Sequence, residues 1–188
     1  MKSYLRHLPN LISMVRVLLV VPVVWSLLND RFSVAIWLFL IAGASDGLDG
    51  FLAKRYGWSS RLGGILDALA DKFLLVSTFV CLWWLGLFPW WLVMAVLARD
   101  LIIVIGAIIY NFHIETVQPE PSLASKLNTF LQIALAAVGV IQLGFGGVPQ
   151  WLLQTLIWSV MLTILLSGVG YVREWSRRAR VSRTSASG

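Results

Sequence analysis

Six stretches of apolar residues run along the chain, and turn-forming residues separate them. The clearest breaks are Asn29-Asp30, Gly86 to Pro89 and Gly144 to Pro149, where Asn, Gly and Pro disfavour a continuous helix. Each stretch reaches the length of about 20 mostly apolar residues that a membrane-spanning helix needs. The pattern therefore predicts an all-α integral membrane protein with six transmembrane helices. The expected helices cover residues 9–28, 33–55, 62–86, 89–112, 124–144 and 149–172.

The composition argues against the soluble classes of protein. Hydrophobic residues make up 59% of the 188 positions and charged residues only 13%, with a mean hydropathy of +0.82. Soluble domains have about 45–50% apolar and about 25% charged residues. Because six spans use about 120 residues, no room remains for a second, soluble domain. We therefore expect one membrane domain over residues 1–172 and a basic cytoplasmic tail over residues 173–188 that frays.

The basic residues predict the orientation of the helices. The chain carries a net charge of +6, and with six helices most of its basic residues fall on the side that holds both termini. Only Arg31 lies on the opposite side. The positive-inside rule then places both termini in the cytoplasm, and the excess charge is expected to contact anionic lipid headgroups rather than nucleic acid. The basic residues on the cytoplasmic side are Lys2, Arg6, Lys54, Arg55, Arg61, Lys126, Arg173, Arg177, Arg178, Arg180 and Arg183.

Four of the nine acidic residues lie within or beside two adjacent predicted helices, and they carry the candidate chemistry. Asp46 and Asp49 are three positions apart and Asp67 and Asp71 are four apart, so each pair shares one helical face. At 1.5 Å per residue, all four lie about 7–13 Å below the cytoplasmic surface. Four carboxylates brought together there would repel one another. An oxygen-only ligand set suits Mg²⁺, Mn²⁺ or Ca²⁺, and two such metals bridging a phosphoryl group fit best.

These acids belong to a longer motif. Residues 46–54 read DGLDGFLAK and, after eight further residues, residues 63–71 read GGILDALAD. The motif resembles the D-x-x-D-G-x-x-A-R … G-x-x-x-D-x-x-x-D signature of the CDP-alcohol phosphatidyltransferases. It departs from that signature at Lys54, where the family has Arg. Lys54 retains a cation but cannot make the bidentate contact of a guanidinium with phosphate.

The resemblance implies six membrane helices, an active site that faces the cytoplasm, and often a homodimer. It also implies that the phosphatidyl group of CDP-diacylglycerol passes to an alcohol with release of CMP, and it agrees with two divalent cations, Mg²⁺ or Mn²⁺. Asp46, Asp49 and Asp67 are implied as metal ligands. Asp71 is implied as a further ligand or as the general base that takes the proton of the acceptor hydroxyl. The implied contacts to the cytidine diphosphate are Gly50, Ala53, Lys54 and Gly63.

Basic residues within the spans bear on the acceptor alcohol. Arg16 lies about 10 Å into the first helix, and Arg99 lies about 20 Å from the cytoplasmic end of the fourth. With Lys126, near the start of the fifth helix, they can form a basic wall opposite the acids. Such a wall suits an acceptor with a phosphate group, such as glycerol 3-phosphate or phosphatidylglycerol. Alternatively, Arg99 only pairs with a buried acid and Lys126 only anchors the topology; Lys72, next to Asp71, has no assigned role.

Two short segments favour one acceptor over the other. Pro9-Asn10 followed by Arg16 is similar to the opening shared by the phosphatidylglycerophosphate synthases and the cardiolipin synthases of this family. Residues 125–132, SKLNTFLQ, look more like the cardiolipin synthase branch, because Asn128 stands where the other branch more often has a second Lys. One positive charge fewer suits the phosphodiester of phosphatidylglycerol. The segment therefore favours a cardiolipin synthase with Asn128 as an acceptor contact, and transfer to glycerol 3-phosphate is the alternative.

Two hypotheses from other classes stand beside the enzyme. Acids inside a membrane also mark cation transporters, but the symmetric halves or broken helices of many transporters are not apparent in this sequence. The second hypothesis is an inactive structural membrane protein, and the presence of all four aspartates argues against it.

Overall fold

The computed structural model describes the backbone of residues 8–56, 61–113 and 123–185, and the side chains of residues 14–45, 70, 72–103 and 123–168. Within these ranges the backbone forms helices joined by short turns. The helices are α1 (Leu8–Leu28), α2 (Phe32–Tyr56), α3 (Arg61–Trp84), α4 (Trp90–His113), α5 (Leu123–Phe145) and α6 (Gln150–Ser185).

The first five helices begin and end within two residues of the predicted bounds. The sixth does not, because α6 continues to Ser185 and the backbone of residues 173–185 is helical rather than irregular. The apolar run ends near residue 172, but no Gly or Pro follows it before Ser185, and Arg and Ala are good helix formers. The fall in hydropathy therefore does not mark the end of this helix.

Three tight turns join the helices in pairs, at residues 29–31, 85–89 and 146–149. Gly86, with φ of 78°, ends α3 in a Schellman motif, in which the amide of Leu87 donates to the carbonyl of Leu82 at 2.9 Å. Pro89 then precedes α4, where its missing N–H costs no helical hydrogen bond. These turns lie where Asn, Gly and Pro predict breaks, so the three predicted breaks are confirmed.

Helices α3 and α5 each pack against three other helices. Helix α1 contacts α2 and α3, while α5 contacts α2, α3 and α6, and α4 lies against α3 and α6. A Cβ atom added to Gly139 would lie 2.9 Å from Leu82 Cδ1, and one added to Gly144 would lie 2.9 Å from Phe32 Cβ. These close approaches bring the last turns of α5 next to the end of α3 and the start of α2. All three tight turns therefore lie at the same end of the bundle, called here the turn end.

The interior is graded from apolar to polar along the bundle. One stripe of α5 is buried along its length, and on this stripe the residues nearer the turn end are apolar while those nearer the opposite end are polar. Phe79 and Phe88, whose ring centroids lie 5.3 Å apart, continue the apolar part between α3 and the next turn. The buried residues of α5 are Ser125, Asn128, Gln132, Leu135, Ala136, Gly139 and Val140.

The outside of the bundle is strongly apolar. Large hydrophobic side chains such as Leu18, Trp37, Phe130 and Leu162 are more than half exposed. Within the described residues, two helical segments, Leu123–Phe145 and Gln150–Gly168, are long and apolar enough to cross a membrane. An apolar exterior around helices that satisfy their own backbone hydrogen bonds is what contact with lipid tails requires.

Candidate functional site

The four aspartates lie on two helices, as the sequence predicts. Asp46 and Asp49 lie in α2, and Asp67 and Asp71 lie in α3, in both cases with unbroken helical backbone. Each pair therefore shares a helical face, and both helices pack against α1 and α5. The side chains of these aspartates lie outside the described residues, among which no group of three metal-ligating side chains occurs. The expected cytidine diphosphate contacts Gly50, Ala53, Lys54 and Gly63 likewise lie outside the residues whose side chains are described.

A buried charge cluster lies directly beside this segment of α3. Asp100 on α4 forms salt bridges with Lys72, the residue that follows Asp71, and with Arg99, whose Nη1 lies 2.7 Å from Asp100 Oδ1. Arg99 also donates a hydrogen bond from Nη2 to Ser125 Oγ on α5, at 2.6 Å. This charge cluster of Lys72, Arg99, Asp100 and Ser125 thus joins α3, α4 and α5 at one point.

The charge cluster is largely buried. The side chains of Arg99 and Asp100 are only 5% and 8% exposed, so their charges lie in a poorly solvated interior. Lys72, at 29% exposure, reaches partly into a wetter region. Lys72 has a further interaction besides Asp100, and Arg99 Nε has no hydrogen-bond partner among the described residues. The Arg99 guanidinium therefore has an N–H available to an anion.

Arg99 lies closer to the start of α5 than its distance along α4 suggests. Counted along α4, this residue lies about 20 Å from the end at His113. Its guanidinium nevertheless contacts Ser125, the third residue of α5. Arg99 therefore reaches the level at which α5 begins, and α4 continues well past that level. Distance along its own helix overstates how far Arg99 lies from the polar end of the bundle.

The other predicted acceptor residues differ in their surroundings. Arg16 is fully buried on α1, the helix that packs against both aspartate-bearing helices. Asn128 is also fully buried, and its Oδ1 accepts a hydrogen bond from Thr163 Oγ1 on α6 at 2.8 Å. Lys126 is exposed, on a different face of α5 from Ser125 and Asn128. The buried polar region therefore includes Asn128, whereas Lys126 lies outside it.

Sequence reasoning missed part of this region. Lys72 received no role, although its salt bridge with Asp100 connects α3 to α4. Thr163 and Ser167 on α6 were not singled out, yet they are 5% and 1% exposed. The available signal was their four-residue spacing within an apolar run, which places two hydroxyls on one helical face.

Comparison with known proteins identifies relatives over most of the chain. A family model described as CDP-alcohol phosphatidyltransferase matches residues 6–175. A chloroplastic CDP-diacylglycerol–glycerol-3-phosphate 3-phosphatidyltransferase 1 from Oryza sativa subsp. japonica is 34% identical over 185 residues, covering 88% of this chain and 56% of the relative. A cardiolipin synthase (CMP-forming) from Rattus norvegicus is 31% identical over 181 residues, covering 87% and 60%. A CDP-diacylglycerol–glycerol-3-phosphate 3-phosphatidyltransferase from Aquifex aeolicus (strain VF5) is 32% identical over 171 residues, covering 88% and 93%.

The lengths of these relatives differ. The chain spans less than two thirds of the plant and rat proteins but nearly all of the Aquifex protein. The names of the relatives include both glycerol 3-phosphate transferases and cardiolipin synthases, so similarity alone does not identify the acceptor.

Proposed function

The chain belongs to the CDP-alcohol phosphatidyltransferase family, and from that premise we propose that it moves the phosphatidyl group of CDP-diacylglycerol to an alcohol. The oxygen of the acceptor hydroxyl forms a bond to the phosphatidyl phosphorus, and the bond from that phosphorus to CMP breaks. CMP leaves with the electron pair of the broken bond. In this proposal, the Asp71 carboxylate takes the proton of the hydroxyl.

The observation that carries the proposal is the position of the charge cluster next to Asp71. Lys72 follows Asp71 in α3 and reaches Asp100, which in turn holds Arg99. An acceptor whose phosphate lies against Arg99 thus has its headgroup close to the segment that bears the proposed base. Phosphoryl transfer depends chiefly on such positioning and on neutralised charge.

The aspartates are proposed to hold two divalent cations, Mg²⁺ or Mn²⁺. Asp46, Asp49, Asp67 and Asp71 fit this role in residue type and in their same-face spacing on continuous helices. When bound, the cations would neutralise the diphosphate and the departing CMP. Gly50, Ala53, Lys54 and Gly63 are proposed to contact the cytidine diphosphate.

Phosphatidylglycerol is the proposed acceptor, which makes the protein a cardiolipin synthase. Its phosphodiester carries a single negative charge, which suits the one guanidinium N–H that Arg99 leaves without a partner among the described residues. The neutral Asn128 continues the buried stripe of α5 from Ser125, where a second Lys would suit a phosphomonoester. Glycerol 3-phosphate is the second candidate acceptor, because the relatives from rice and Aquifex are named for it.

An assay with two acceptors tests the proposal. Purified protein receives labelled CDP-diacylglycerol, Mg²⁺ and either phosphatidylglycerol or glycerol 3-phosphate, with the Asp67→Asn variant as the inactive control. We expect cardiolipin and CMP only with phosphatidylglycerol. Phosphatidylglycerophosphate formed from glycerol 3-phosphate would overturn the choice of acceptor, and a wild-type protein that releases no CMP with either would overturn the transfer reaction.

We further propose that all six helices cross the membrane, with both termini and the site on the cytoplasmic side, and that the protein is a homodimer. The excess of basic residues expected on the cytoplasmic side, away from the turn end, supports the orientation. In a Cys81→Ser background, a cysteine introduced at Arg31 should react with a membrane-impermeant maleimide added outside intact cells. Labelling only after the membrane is opened would contradict the orientation, and crosslinking in membranes that gives only monomer would contradict the dimer.

A further inference from the structure

A neutral polar group of side chains is buried between α5 and α6, beyond the charge cluster. It consists of Asn128 and Gln132 on α5 with Thr163 on α6, and each is at most 5% exposed. Both amide atoms of Gln132 and the Asn128 Nδ2 have no hydrogen-bond partner among the described residues. We call these three residues the neutral pocket.

These unpaired atoms are costly for a purely structural element. A buried donor or acceptor without a partner costs about 1–3 kcal/mol, and buried polar groups in folded proteins nearly always have one. One turn further along the same stripe, Leu135 fills the interior with an apolar side chain. Packing alone is therefore better served by an apolar residue at position 132. Several unpaired atoms in one place indicate a ligand that supplies the missing hydrogen bonds.

The neutral pocket adjoins the charge cluster. Ser125, which contacts Arg99, precedes Asn128 and Gln132 on the buried stripe of α5. The distance from Ser125 to Gln132 along the helix is about 10 Å. On α6, which returns along α5, Thr163 contacts Asn128. A headgroup with its phosphate at Arg99 thus has neutral hydrogen-bonding groups on the side away from that cation.

We propose that the neutral pocket binds the non-reacting secondary hydroxyl of a glycerol acceptor. A hydroxyl both donates and accepts, and Gln132 offers an unpaired donor and an unpaired acceptor in one side chain. The neutral pocket contains no charged residue, so it does not suit a phosphate. The inference rests on the proposed transferase function, and it applies to both candidate acceptors because each carries this hydroxyl beside the reacting primary one.

Thr163 is assigned a positioning role in this arrangement. Its hydroxyl lies 2.8 Å from Asn128 Oδ1, and 3.0 Å from the backbone oxygens of Ser159 and Val160. The contact with Thr163 occupies the amide oxygen of Asn128 and leaves Nδ2 available to a ligand. Without this contact the Asn128 amide can rotate, so the loss of Thr163 should act on recognition of the hydroxyl.

A pair of acceptors that differ only in that hydroxyl tests the inference. The pair is phosphatidylglycerol and phosphatidyl-1,3-propanediol, or glycerol 3-phosphate and 3-hydroxypropyl phosphate if the smaller acceptor proves to be the substrate. For the wild-type protein, we expect kcat/KM to fall about tenfold or more when the hydroxyl is absent, because pocket groups then lie buried and unpaired. In the Gln132→Leu variant, the kcat/KM values of the two acceptors should differ by about twofold or less.

The matched control is Gln154→Leu, the same substitution at an exposed position of α6. It should keep the wild-type ratio of kcat/KM between the acceptor with the hydroxyl and the acceptor without it. If Gln132→Leu fails to fold, the nearly isosteric Thr163→Val is the second variant. It should also reduce the ratio of kcat/KM between the two acceptors. A Gln132→Leu protein that folds and keeps the wild-type ratio would overturn the inference. A changed thermal midpoint with an unchanged ratio would do the same, because it would indicate a structural or water-filled pocket.

The outcomes separate this inference from the proposed function. If the wild-type protein releases CMP with both members of the acceptor pair at the same kcat/KM, only the role of the neutral pocket fails. If it releases no CMP with any acceptor, the transferase proposal itself fails.

Discussion

Replacing Asp100 by Asn removes the only carboxylate that the described residues place between Lys72 and Arg99. At about 4 Å and an effective dielectric constant of about 20, each ion pair has a Coulomb energy of about 4 kcal/mol before desolvation is counted. Removing one partner of a buried salt bridge lowers the free energy of unfolding by about 3–5 kcal/mol. Because Lys72 is 29% exposed and can turn towards water, we expect the lower limit, about 3 kcal/mol. For a chain of this size that loss corresponds to a fall in Tm of about 6–12 °C.

The sharper test is the effect of a second substitution in two backgrounds. In the wild-type protein, Lys72→Met removes a partly solvated partner of Asp100 and should lower Tm by about 2–4 °C, the equivalent of about 1 kcal/mol. In the Asp100→Asn background this salt bridge is already absent. There the same substitution should lower Tm by clearly less than in the wild-type protein.

Thermal unfolding of the four proteins in one detergent measures this coupling. The matched set consists of wild type, the two single variants and the double variant. Equal falls in Tm for Lys72→Met in both backgrounds would refute the view that Asp100 holds Lys72 and Arg99 together. Asp100→Glu serves as the conservative control, and its fall in Tm should be less than half of the fall for Asp100→Asn.

Three other predictions concern the acceptor, the metals and helix packing. Arg99→Lys keeps the charge but loses the planar fork, so the KM for the acceptor should rise about tenfold while that for CDP-diacylglycerol stays unchanged; equal rises in both would contradict the acceptor role. Chelation of divalent cations should abolish CMP release, and added Mg²⁺ or Mn²⁺ should restore it; activity that survives chelation would exclude the proposed metal site. Gly144→Ala should lower Tm because its Cβ would lie 2.9 Å from Phe32 Cβ, which is fixed to the backbone. Gly43→Ala, with nothing within 4 Å of the added atom, should not lower Tm, and equal changes at the two positions would count against this packing argument.

The helices follow closely from the sequence because apolar runs and turn residues act locally. Gly86 illustrates this, since the residue that predicted a break has the positive φ that ends α3. The end of α6 does not follow, because helix formation continues through residues 173–185 after hydropathy falls. Hydropathy predicts where a helix meets lipid, and helix propensity decides where it ends.

The candidate site is predictable only where spacing along one helix is sufficient. The same-face pairs Asp46 with Asp49 and Asp67 with Asp71 need no tertiary contact to be recognised. The charge cluster does, because Ser125 reaches Arg99 from 26 positions away. Arg99 pairs with a buried acid, but this acid is the next residue in the chain, and neighbouring positions on a helix do not normally face each other.

Hydroxyl spacing on α6 shows a similar limit. Thr155, Ser159, Thr163 and Ser167 follow one another at intervals of four. Thr155 is exposed and donates to its own helix backbone, whereas Thr163 is buried and contacts Asn128. Spacing predicts that these residues share a face. Only the packing of α6 against α5 determines which of them take part in the buried polar region.

The apolar part of the interior at the turn end has a consequence for the membrane itself. Leu82, Phe88, Leu135 and Val140 are at most 3% exposed there, and the Thr78 hydroxyl donates to its own helix at Leu74. Ions and protons cross such a layer at a high energetic cost. The buried polar region is therefore closed at the turn end by apolar side chains. In the proposed transmembrane orientation, this layer would keep the protein from conducting ions across the membrane, however many copies the membrane holds.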